Sequence, residues 1–416
     1  MRRVVVTGLG AVSPCGNDAG SSWDNVVAGR SGVGPLTAFD ASGWAVRIAA
    51  QADTFDPSIV LDRRQVRRHD RFSQFAMAAC VEAARDAGFP DGFGHDEALS
   101  ERAGVYLGSG IGGIGEIETG SVALREEGTR GLSAFFIPRS LGNLASGQVA
   151  IALKARGPSL NISTACATGN HSIGEAARAI RAGDADIIIA GGAEAPITPV
   201  SLAGFMVMRA LSKHNDDPTM ASRPFDAARD GFVMGEGAGV VVLEEYEHAK
   251  ARGARILAEL VGYALTTDAH HITAPAAGHA GAARCMRLAL ANAGMNPSEV
   301  DYINAHGTST PVNDPAEVAA IKTVFGDHAR DLMVSSTKSV TGHLLGASGG
   351  LEAVLTVRAM VEGLVPPTAT LRDADPACDL DHVPGAAREA TIGAAVSNAF
   401  GFGGTNAVLV FRNHDA

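Results

Sequence analysis

One of the five cysteines lies in a setting that suits a nucleophile. Cys166 belongs to the stretch Asn161–Gly169, where an apolar run ends and helical spacing begins. The first N–H groups of a helix have no partner within the helix, and the helix dipole favours an anion at that end. We therefore expect the Cys166 thiol to ionise more easily than a free thiol, and the thiolate is the reactive form. A buried structural cysteine is the alternative, and this stretch alone supports both equally.

Two histidines and a lysine in the second half could act with this thiol. His306 directly follows one predicted strand, and Lys338 and His343 follow the next. A lone histidine is usually structural. Two histidines and a lysine that all follow strands of the same half favour a shared site. The 140 residues between Cys166 and His306 (306 − 166) match no zinc signature, so no metal is expected. A thiolate with two imidazoles suits acyl transfer coupled to carbanion formation.

An internally duplicated α/β fold would position these groups. The apolar runs Val4–Gly8 and Ile256–Val261 predict similar buried strands, and the strand–helix pattern begins again near residue 253. The stretch Leu160-Asn-Ile-Ser-Thr-Ala-Cys166 is echoed by Met333-Val-Ser-Ser-Thr-Lys-Ser339, at an offset of 173 residues (336 − 163). Alternating strands and helices favour layered α/β architecture with mixed sheets. In such a duplicated fold, equivalent strand ends can converge on one central site.

Length, charge and cysteine usage exclude several classes of protein. A chain of 416 residues can form two domains, or one double domain, with a sizeable core. The net charge of -11 argues against general nucleic-acid binding. No apolar run is long enough for a membrane span, and the first residues lack a signal peptide's features. Scattered cysteines without Cys-x-x-Cys spacing predict no disulfide framework and favour a cytoplasmic location.

Seven motifs, spread over nearly the whole chain, carry a family resemblance. They are Ser163-Thr-Ala-Cys166-Ala-Thr-Gly169, Gly191-Gly-Ala-Glu194, Ser222-Arg-Pro-Phe-Asp226, Asp230-Gly-Phe-Val-Met-Gly-Glu236-Gly237, Asn304-Ala-His306-Gly-Thr-Ser-Thr310, Ser336-Thr-Lys338-Ser-Val-Thr-Gly-His343 and Asn398-Ala-Phe400-Gly-Phe402-Gly-Gly-Thr-Asn406. With them the chain closely resembles the β-ketoacyl-acyl carrier protein synthases of the thiolase superfamily, and in particular the elongating type II enzymes.

The resemblance implies a thiolase-like five-layer αβαβα fold built from two duplicated halves, and a homodimer. Residues 1–252 would form the half with the nucleophilic cysteine and the dimer and cap insertions, and residues 253–416 the half with the catalytic histidines and lysine. The implied reaction is the decarboxylative Claisen condensation that elongates fatty acids. An acyl chain moves from an acyl carrier protein to the cysteine, and malonyl-acyl carrier protein then loses carbon dioxide and attacks it. No separate cofactor is implied, because phosphopantetheine arrives on the carrier protein.

The resemblance also assigns roles to individual residues. Cys166 would carry the acyl chain, and His306 and His343 would line the malonyl site and stabilise the enolate. Lys338, paired with Glu352, would support the histidines electrostatically. The remaining assignments are the Phe402 N–H, which with that of Cys166 forms the oxyanion hole; Thr308 and Thr310 on the pantetheine arm; Phe400 and Phe402 as a gate; Ile111 along the tunnel floor; Phe136 and Phe205 near the dimer seam; and Arg64, Arg67, Arg68 and Arg209 for carrier-protein docking.

Several related classes fit the sequence less well. Type III synthases have asparagine where this chain has His343, and degradative thiolases have a second cysteine in a late glycine-rich loop. A non-catalytic or length-setting partner would lack the nucleophile, whereas Cys166 is present. A dedicated polyketide ketosynthase with the same mechanism stays open as the alternative. One departure from the commonest type II pattern is Ala167-Thr168, where Thr-Ser is usual; it leaves the thiol in place and bears on acyl preference.

Overall fold

The architecture was obtained as a computed structural model, which describes residues 2–414. Its strands are β1 (Val4–Val12), β2 (Val33–Pro35), β3 (Ile48–Ala50), β4 (Ala103–Gly108), β5 (Ser159–Leu160), β6 (Ile187–Glu194), β7 (Gly237–Glu245), β8 (Ala258–Thr267), β9 (Tyr302–Asn304), β10 (Met333–Ser335), β11 (Leu364–Val365), β12 (Arg388–Glu389), β13 (Ala394–Gly401) and β14 (Thr405–Arg412).

The helices alternate with these strands along the chain. They are α1 (Ala19–Val27), α2 (Arg63–Val66), α3 (Arg71–Asp86), α4 (Glu97–Arg102), α5 (Ile114–Glu127), α6 (Phe136–Ser140), α7 (Leu144–Leu153), α8 (Thr168–Ala182), α9 (Pro199–Val207), α10 (Tyr246–Ala251), α11 (Ala280–Ala293), α12 (Asn313–Phe325), α13 (Lys338–Thr341) and α14 (Ser348–Glu362). Among the described residues, no helix has the length and apolar character needed to cross a membrane.

Ten of the strands form a sheet whose two halves repeat one topology. The order is β10-β9-β13-β14-β8-β1-β7-β6-β4-β5. Outward from the centre, each half contains the first, fifth, fourth, second and third of its own five strands. The inner three strands of each half are antiparallel to one another, and the two outer pairings of each half are parallel. The predicted internal duplication is confirmed by this shared order, while the division at residue 252 stays a prediction.

Helices cover both faces of each half-sheet and create five layers. Helices α3 and α7 pack on the outer face of the first half, and α11, with α12 beside it, packs on the second. Helices α8 and α14 lie between the halves and contact strands of both. The central strands are accordingly buried along their whole length rather than on one face only, as in β1, where all nine residues are buried. The five-layer α/β fold implied by the resemblance is therefore confirmed.

The two central helices begin in matching turns. A short 3-10 turn, Ala165–Ala167, precedes α8, and another, Leu345–Ala347, precedes α14. Ala165 and Leu345 have left-handed φ angles of 49° and 48°. Both helices contain 15 residues. When the two turns are aligned residue by residue, the counterpart of Cys166 is Gly346 and not Ser339.

The predicted sequence repeat therefore agrees with the structure at the strands. Its alignment is no longer correct between the strands and the helices that follow. Strands β5 and β10 occupy the same position in their half-sheets. The four-residue helix α13 and the turn after it are inserted between β10 and α14. Sequence comparison at a constant offset of 173 residues misses this insertion. It places Lys338 beside the nucleophile's counterpart, whereas the structure places Lys338 in the inserted helix.

Candidate active site

A cavity of about 370 Å³ opens where the central helices begin, at the boundary between the two halves of the sheet. The lining brings together ten of the residues predicted to act in the site. They are Ile111, Cys166, Phe205, Arg209, His306, Thr308, Thr310, His343, Phe400 and Phe402. The cavity thus combines a thiol and two imidazoles with a largely apolar wall, as expected for a site that holds an acyl chain.

Cys166 lies in the strained turn before α8 and keeps partial exposure. The left-handed φ of Ala165 reverses the chain there, and such strain outside glycine is common at functional sites. Burial among protein atoms raises the pKa of the Cys166 thiol to about 12, and the positive charge of Lys338 opposes this only in part. The expectation that this thiol ionises more easily than a free one is therefore wrong for the unloaded site, because desolvation outweighs the favourable charges.

Phe402 lies in the short turn between β13 and β14, directly beside the thiol. Its backbone N–H acts to lower the pKa of the Cys166 thiol and so favours the thiolate, but burial outweighs this effect. Phe402 is 36% exposed, whereas Phe400 is 6% exposed. The Phe402 ring lies 6.3 Å from the ring of Phe205, on the cavity wall. The backbone of this turn thus faces the nucleophile, while its rings face the cavity.

His306 and His343 form a perpendicular pair at the base of the cavity. Their ring centroids are 5.5 Å apart, with 86° between the planes. Burial, followed by the charge of Lys338, holds the pKa of both imidazoles well below 6.5, so both are neutral at neutral pH. His343 Nδ1 is 2.8 Å from Ser348 Oγ at the start of α14. When Ser348 donates this hydrogen bond, the ring proton lies on Nε2, where it can be donated into the cavity.

Lys338 connects the histidine pair to a buried carboxylate. Its ammonium donates to the backbone carbonyl of His306 at 2.6 Å and forms an ion pair with Glu352. Burial raises the pKa of Glu352 to about 7, although the lysine favours its charged form. The predicted pairing of Lys338 with Glu352 matches this geometry. It places a positive charge behind the histidines rather than in the cavity.

Two further buried carboxylates hold the site together and were not predicted. Glu317 accepts from the amides of His306 and Gly307, each at 2.8 Å, and from the Asn398 side chain at 3.1 Å. Glu194 accepts from the Ser109 hydroxyl and from the amides of Gly110, Ile111 and Gly346. Glu194 ends the motif Gly191-Gly-Ala-Glu194, so a charged residue closing a buried strand was its available signal.

The predicted carrier-arm and acyl-chain residues do not all meet. Thr308 and Thr310 line the cavity with their hydroxyls 3.0 Å apart, and Ile111 and Phe205 lie on its wall. Phe136 is not among the described residues that line it. The ring of Phe136 packs so tightly on α5 that a Cβ on Gly120 would lie 2.4 Å from it. Contact between Phe136 and an acyl chain stays a prediction.

The predicted docking arginines lie at two places. Arg209 is exposed at the cavity mouth, in a left-handed conformation after α9. Arg64, Arg67 and Arg68 line a separate groove that also contains Arg63 and Phe135. The Arg68 guanidinium lies 5.3 Å from the centre of the Phe135 ring. We call this feature the arginine groove; it gives an acidic chain a local positive surface.

Comparison with known proteins agrees with this geometry. Family models described as Beta-ketoacyl synthase, N-terminal domain, and Beta-ketoacyl synthase, C-terminal domain, match residues 1–249 and 257–372. The 3-oxoacyl-[acyl-carrier-protein] synthase 2 of Coxiella burnetii is 53% identical over 98% of each chain.

Solved structures extend the similarity to the whole fold. A β-ketoacyl synthase from Burkholderia phymatum aligns with a TM-score of 0.91 and 38% identity over 99% of this chain and 100% of that one. A ketosynthase solved with its type II PKS acyl-carrier protein, bound to a hexaketide, aligns with a TM-score of 0.91 and 35% identity over 99% of each chain. With a cysteine and two histidines converging in one cavity, and with both domain models matched in order, this chain belongs to the β-ketoacyl synthase family.

Proposed function

We propose that this chain is an elongating β-ketoacyl-acyl carrier protein synthase of fatty acid biosynthesis. The observation that carries the proposal is the convergence of Cys166, His306 and His343 in one cavity. Near-full-length similarity to 3-oxoacyl-[acyl-carrier-protein] synthase 2 supports the same reaction. The enzyme joins an acyl chain to a two-carbon unit from malonyl-acyl carrier protein and releases carbon dioxide.

In the first half-reaction Cys166 takes the acyl chain from its carrier. The sulfur attacks the thioester carbonyl, the bond to the pantetheine sulfur breaks, and the thiol proton leaves with that sulfur. The amides of Cys166 and Phe402 bind the oxyanion that forms on the carbonyl. Because the thiol is protonated before substrate binds, the oxyanion donors and the departing thiolate must together drive its ionisation.

In the second half-reaction the neutral histidines act on the malonyl group. The bond to the carboxylate breaks, carbon dioxide leaves, and the electron pair forms an enolate. Hydrogen bonds from His306 and His343 stabilise the enolate oxygen, and neutral imidazoles suit this role because they donate without forming an ion pair with the malonyl carboxylate. The enolate carbon then attacks the acyl thioester, and Cys166 leaves as a thiolate that regains a proton.

We further propose that an acidic carrier protein docks near the arginine groove, so that its pantetheine arm reaches Thr308 and Thr310. Arg209, exposed at the cavity mouth, would guide the arm inward. No other cofactor is needed for this chemistry, since the arm delivers both substrates. A local positive surface would accelerate encounter with an acidic partner despite the negative net charge.

We also propose a homodimer in the cytoplasm. Exposed apolar side chains cluster on α5, α6, α7 and the edge strand β5, which leaves a surface that a second copy could cover. They are Ile117, Val122, Leu124, Ile137, Ile151 and Leu160. The cytoplasmic location is supported by five free cysteines, which a reducing compartment preserves.

The alternative is a dedicated polyketide ketosynthase, favoured by the structural similarity to the ketosynthase solved with its carrier protein. The two functions differ in the primer, because fatty acid synthesis reduces the β-keto group before the next elongation. Saturated acyl-carrier proteins and β-ketoacyl-carrier proteins should therefore be compared as acyl donors, with intact-mass detection of the thioester on Cys166. Preference for saturated chains supports the proposal, and preference for unreduced chains supports the alternative.

A further inference from the structure

The two oxyanion donors in the proposed function come from opposite halves of the chain. Cys166 lies in the turn before α8, whereas Phe402 lies in the turn between β13 and β14. The pair Gly401 and Thr405 closes this second turn as the last rung of the β13–β14 ladder. A donor stabilises an oxyanion only at hydrogen-bond distance. Some contact between the two turns must therefore keep the amides of Cys166 and Phe402 at the distance that one oxyanion requires.

Thr164 makes this contact from the side of the nucleophile. Its carbonyl accepts from the Thr405 hydroxyl at 3.2 Å and from the Ala167 amide at 3.1 Å. Its amide donates to Thr168 Oγ1 at 2.8 Å, and its hydroxyl is 2.7 Å from His171 Nδ1. The amide, carbonyl and hydroxyl of Thr164 therefore each have a hydrogen-bond partner. The hydrogen bond from the Thr405 hydroxyl connects the turn before α8 to the turn between β13 and β14.

Gly401 brings the turns close enough for this bond. A Cβ at position 401 would lie 2.7 Å from the Thr164 carbonyl oxygen, 2.7 Å from Thr405 Oγ1 and 3.2 Å from the Ala167 amide nitrogen. The φ angle of Gly401 is not in the left-handed region. Its missing side chain thus serves close approach rather than backbone conformation.

We propose that Thr405 is a positioning residue for acyl transfer: its hydroxyl, bound to the Thr164 carbonyl, keeps the Phe402 N–H directed at the carbonyl oxygen of the acyl group on Cys166. The inference rests on the proposed function. It assigns Thr405 to formation of the oxyanion and not to the reactivity of the thiol itself. Reactions of Cys166 that form no oxyanion should therefore depend on Thr405 much less, because the Phe402 N–H influences the Cys166 pKa less than burial and Lys338 do.

Two reactions of one variant separate these roles. Thr405→Val removes the hydroxyl and keeps a β-branched side chain suited to a strand. Single-turnover transfer from acyl-carrier protein to Cys166 should slow by about tenfold, less than the roughly 100- to 1,000-fold loss that follows removal of an oxyanion donor. Alkylation of Cys166 by iodoacetamide forms no oxyanion and should slow much less than acyl transfer does. Thr405→Ser should restore acyl transfer.

Thr267 provides a matched control. It pairs directly with Thr405 across β8 and β14, and its side chain is exposed. Thr267→Val makes the same substitution in the same rung and should change neither rate. Gly401→Ala tests the contact independently, because its added methyl group must separate the turns and should slow acyl transfer selectively.

The outcomes distinguish the inference from the proposed function. If the unmodified enzyme forms no thioester at Cys166, the proposed function fails and the inference with it. If the unmodified enzyme is acylated and Thr405→Val is acylated equally fast, only the positioning role is overturned. Equal slowing of acyl transfer and alkylation would also overturn it, because that result indicates general disruption of the turn. If Thr405→Val does not fold, Gly401→Ala decides by the same criteria.

Discussion

The ammonium of Lys338 and the carboxylate of Glu352 form an ion pair inside the protein, where their side chains are only 1% and 3% exposed. The same ammonium donates to the His306 carbonyl. A charge pair buried this deeply is stable only while both partners are present, since removing one leaves the other desolvated. The pair therefore links the stability of the protein to the position of His306, one of the two histidines of the proposed active site.

Lys338→Ala should lower both stability and decarboxylation. Loss of one partner of a buried ion pair costs about 3–5 kcal/mol, so the melting temperature should fall. Adding Glu352→Gln removes the stranded charge and should restore part of the melting temperature, but not carbon dioxide release, because the His306 carbonyl still lacks its donor. Thermal unfolding and a carbon dioxide trap measure the two effects. Full recovery of decarboxylation in the double variant would contradict the role given to Lys338.

The two half-reactions should separate in variants of Cys166 and His343. Cys166→Gln should abolish condensation yet still release carbon dioxide from malonyl-acyl carrier protein, because the amide imitates the acyl thioester in shape. His343→Ala should cripple decarboxylation, since a donor to a developing oxyanion is worth about 2.7–4 kcal/mol. Labelled malonyl-acyl carrier protein reports both. Condensation by Cys166→Gln, or normal decarboxylation by His343→Ala, would overturn these roles.

Ile111→Phe should shorten the longest acyl chain that the enzyme accepts. Ile111 lies on the cavity wall, and a larger ring there must displace methylenes worth about 0.8 kcal/mol each when buried. The measurement is the chain-length profile of acyl transfer to Cys166. Ile59→Phe, at a residue 61% exposed and outside the cavity lining, is the control. An unchanged profile in Ile111→Phe would remove this residue from the acyl pocket.

Charge reversal in the arginine groove should weaken docking. Arg67→Glu combined with Arg68→Glu should raise the Michaelis constant for carrier-bound substrates, and more so at low salt, because salt screens the attraction to an acidic partner. Small thioester analogues should react almost normally. Arg287→Glu makes the same reversal at an exposed position on α11, on the outer face of the other half. Equal losses with both kinds of substrate would indicate misfolding rather than docking.

Stability should depend on pH through His248, away from the cavity. Its Nδ1 lies 2.6 Å from the buried Glu244, and this hydrogen bond raises the histidine pKa above 6.5. The stabilisation is therefore complete below the unfolded pKa and is lost as the pH rises through the raised value. His248→Gln should lower the melting temperature more at about pH 6 than at about pH 9. A constant difference would show that the histidine charge contributes nothing.

Motif residues could be predicted because each motif directly follows a strand or opens a helix. Cys166, His306 and His343 are far apart in sequence, yet the duplicated topology brings the ends of their elements to one cavity. The helical spacing that begins after Cys166 agrees with α8, in which Ile173 and Ile180 are both fully buried. The predicted family and fold class are confirmed by the matched domain models and the solved structures, and the predicted reaction by the near-full-length relatives.

Other properties depend on packing that no local pattern encodes. The pKa of Cys166 follows from its burial, which composition and spacing do not show. Glu194 could not be recognised as an anchor, because its amide donors come from Gly110 and Ile111, more than 80 residues before it, and from Gly346, 152 residues after it. Element boundaries depend on packing as well: the charge of residues 244–252 predicts a connector, whereas these residues complete β7 and form α10.

The matching turns before α8 and α14 determine how many acyl groups one copy of the chain can carry. Duplication provides two equivalent positions for a nucleophile, one before each central helix. Only the first position, before α8, has a thiol. At the second position, before α14, a Cβ on Gly346 would lie 2.5 Å from Glu194 Oε2 and 2.5 Å from the Gly110 amide nitrogen. The carboxylate that supports the cavity wall thus fills the space a second nucleophile would need. The stoichiometry of one acyl group per chain is therefore built into the packing of the pseudo-symmetric site.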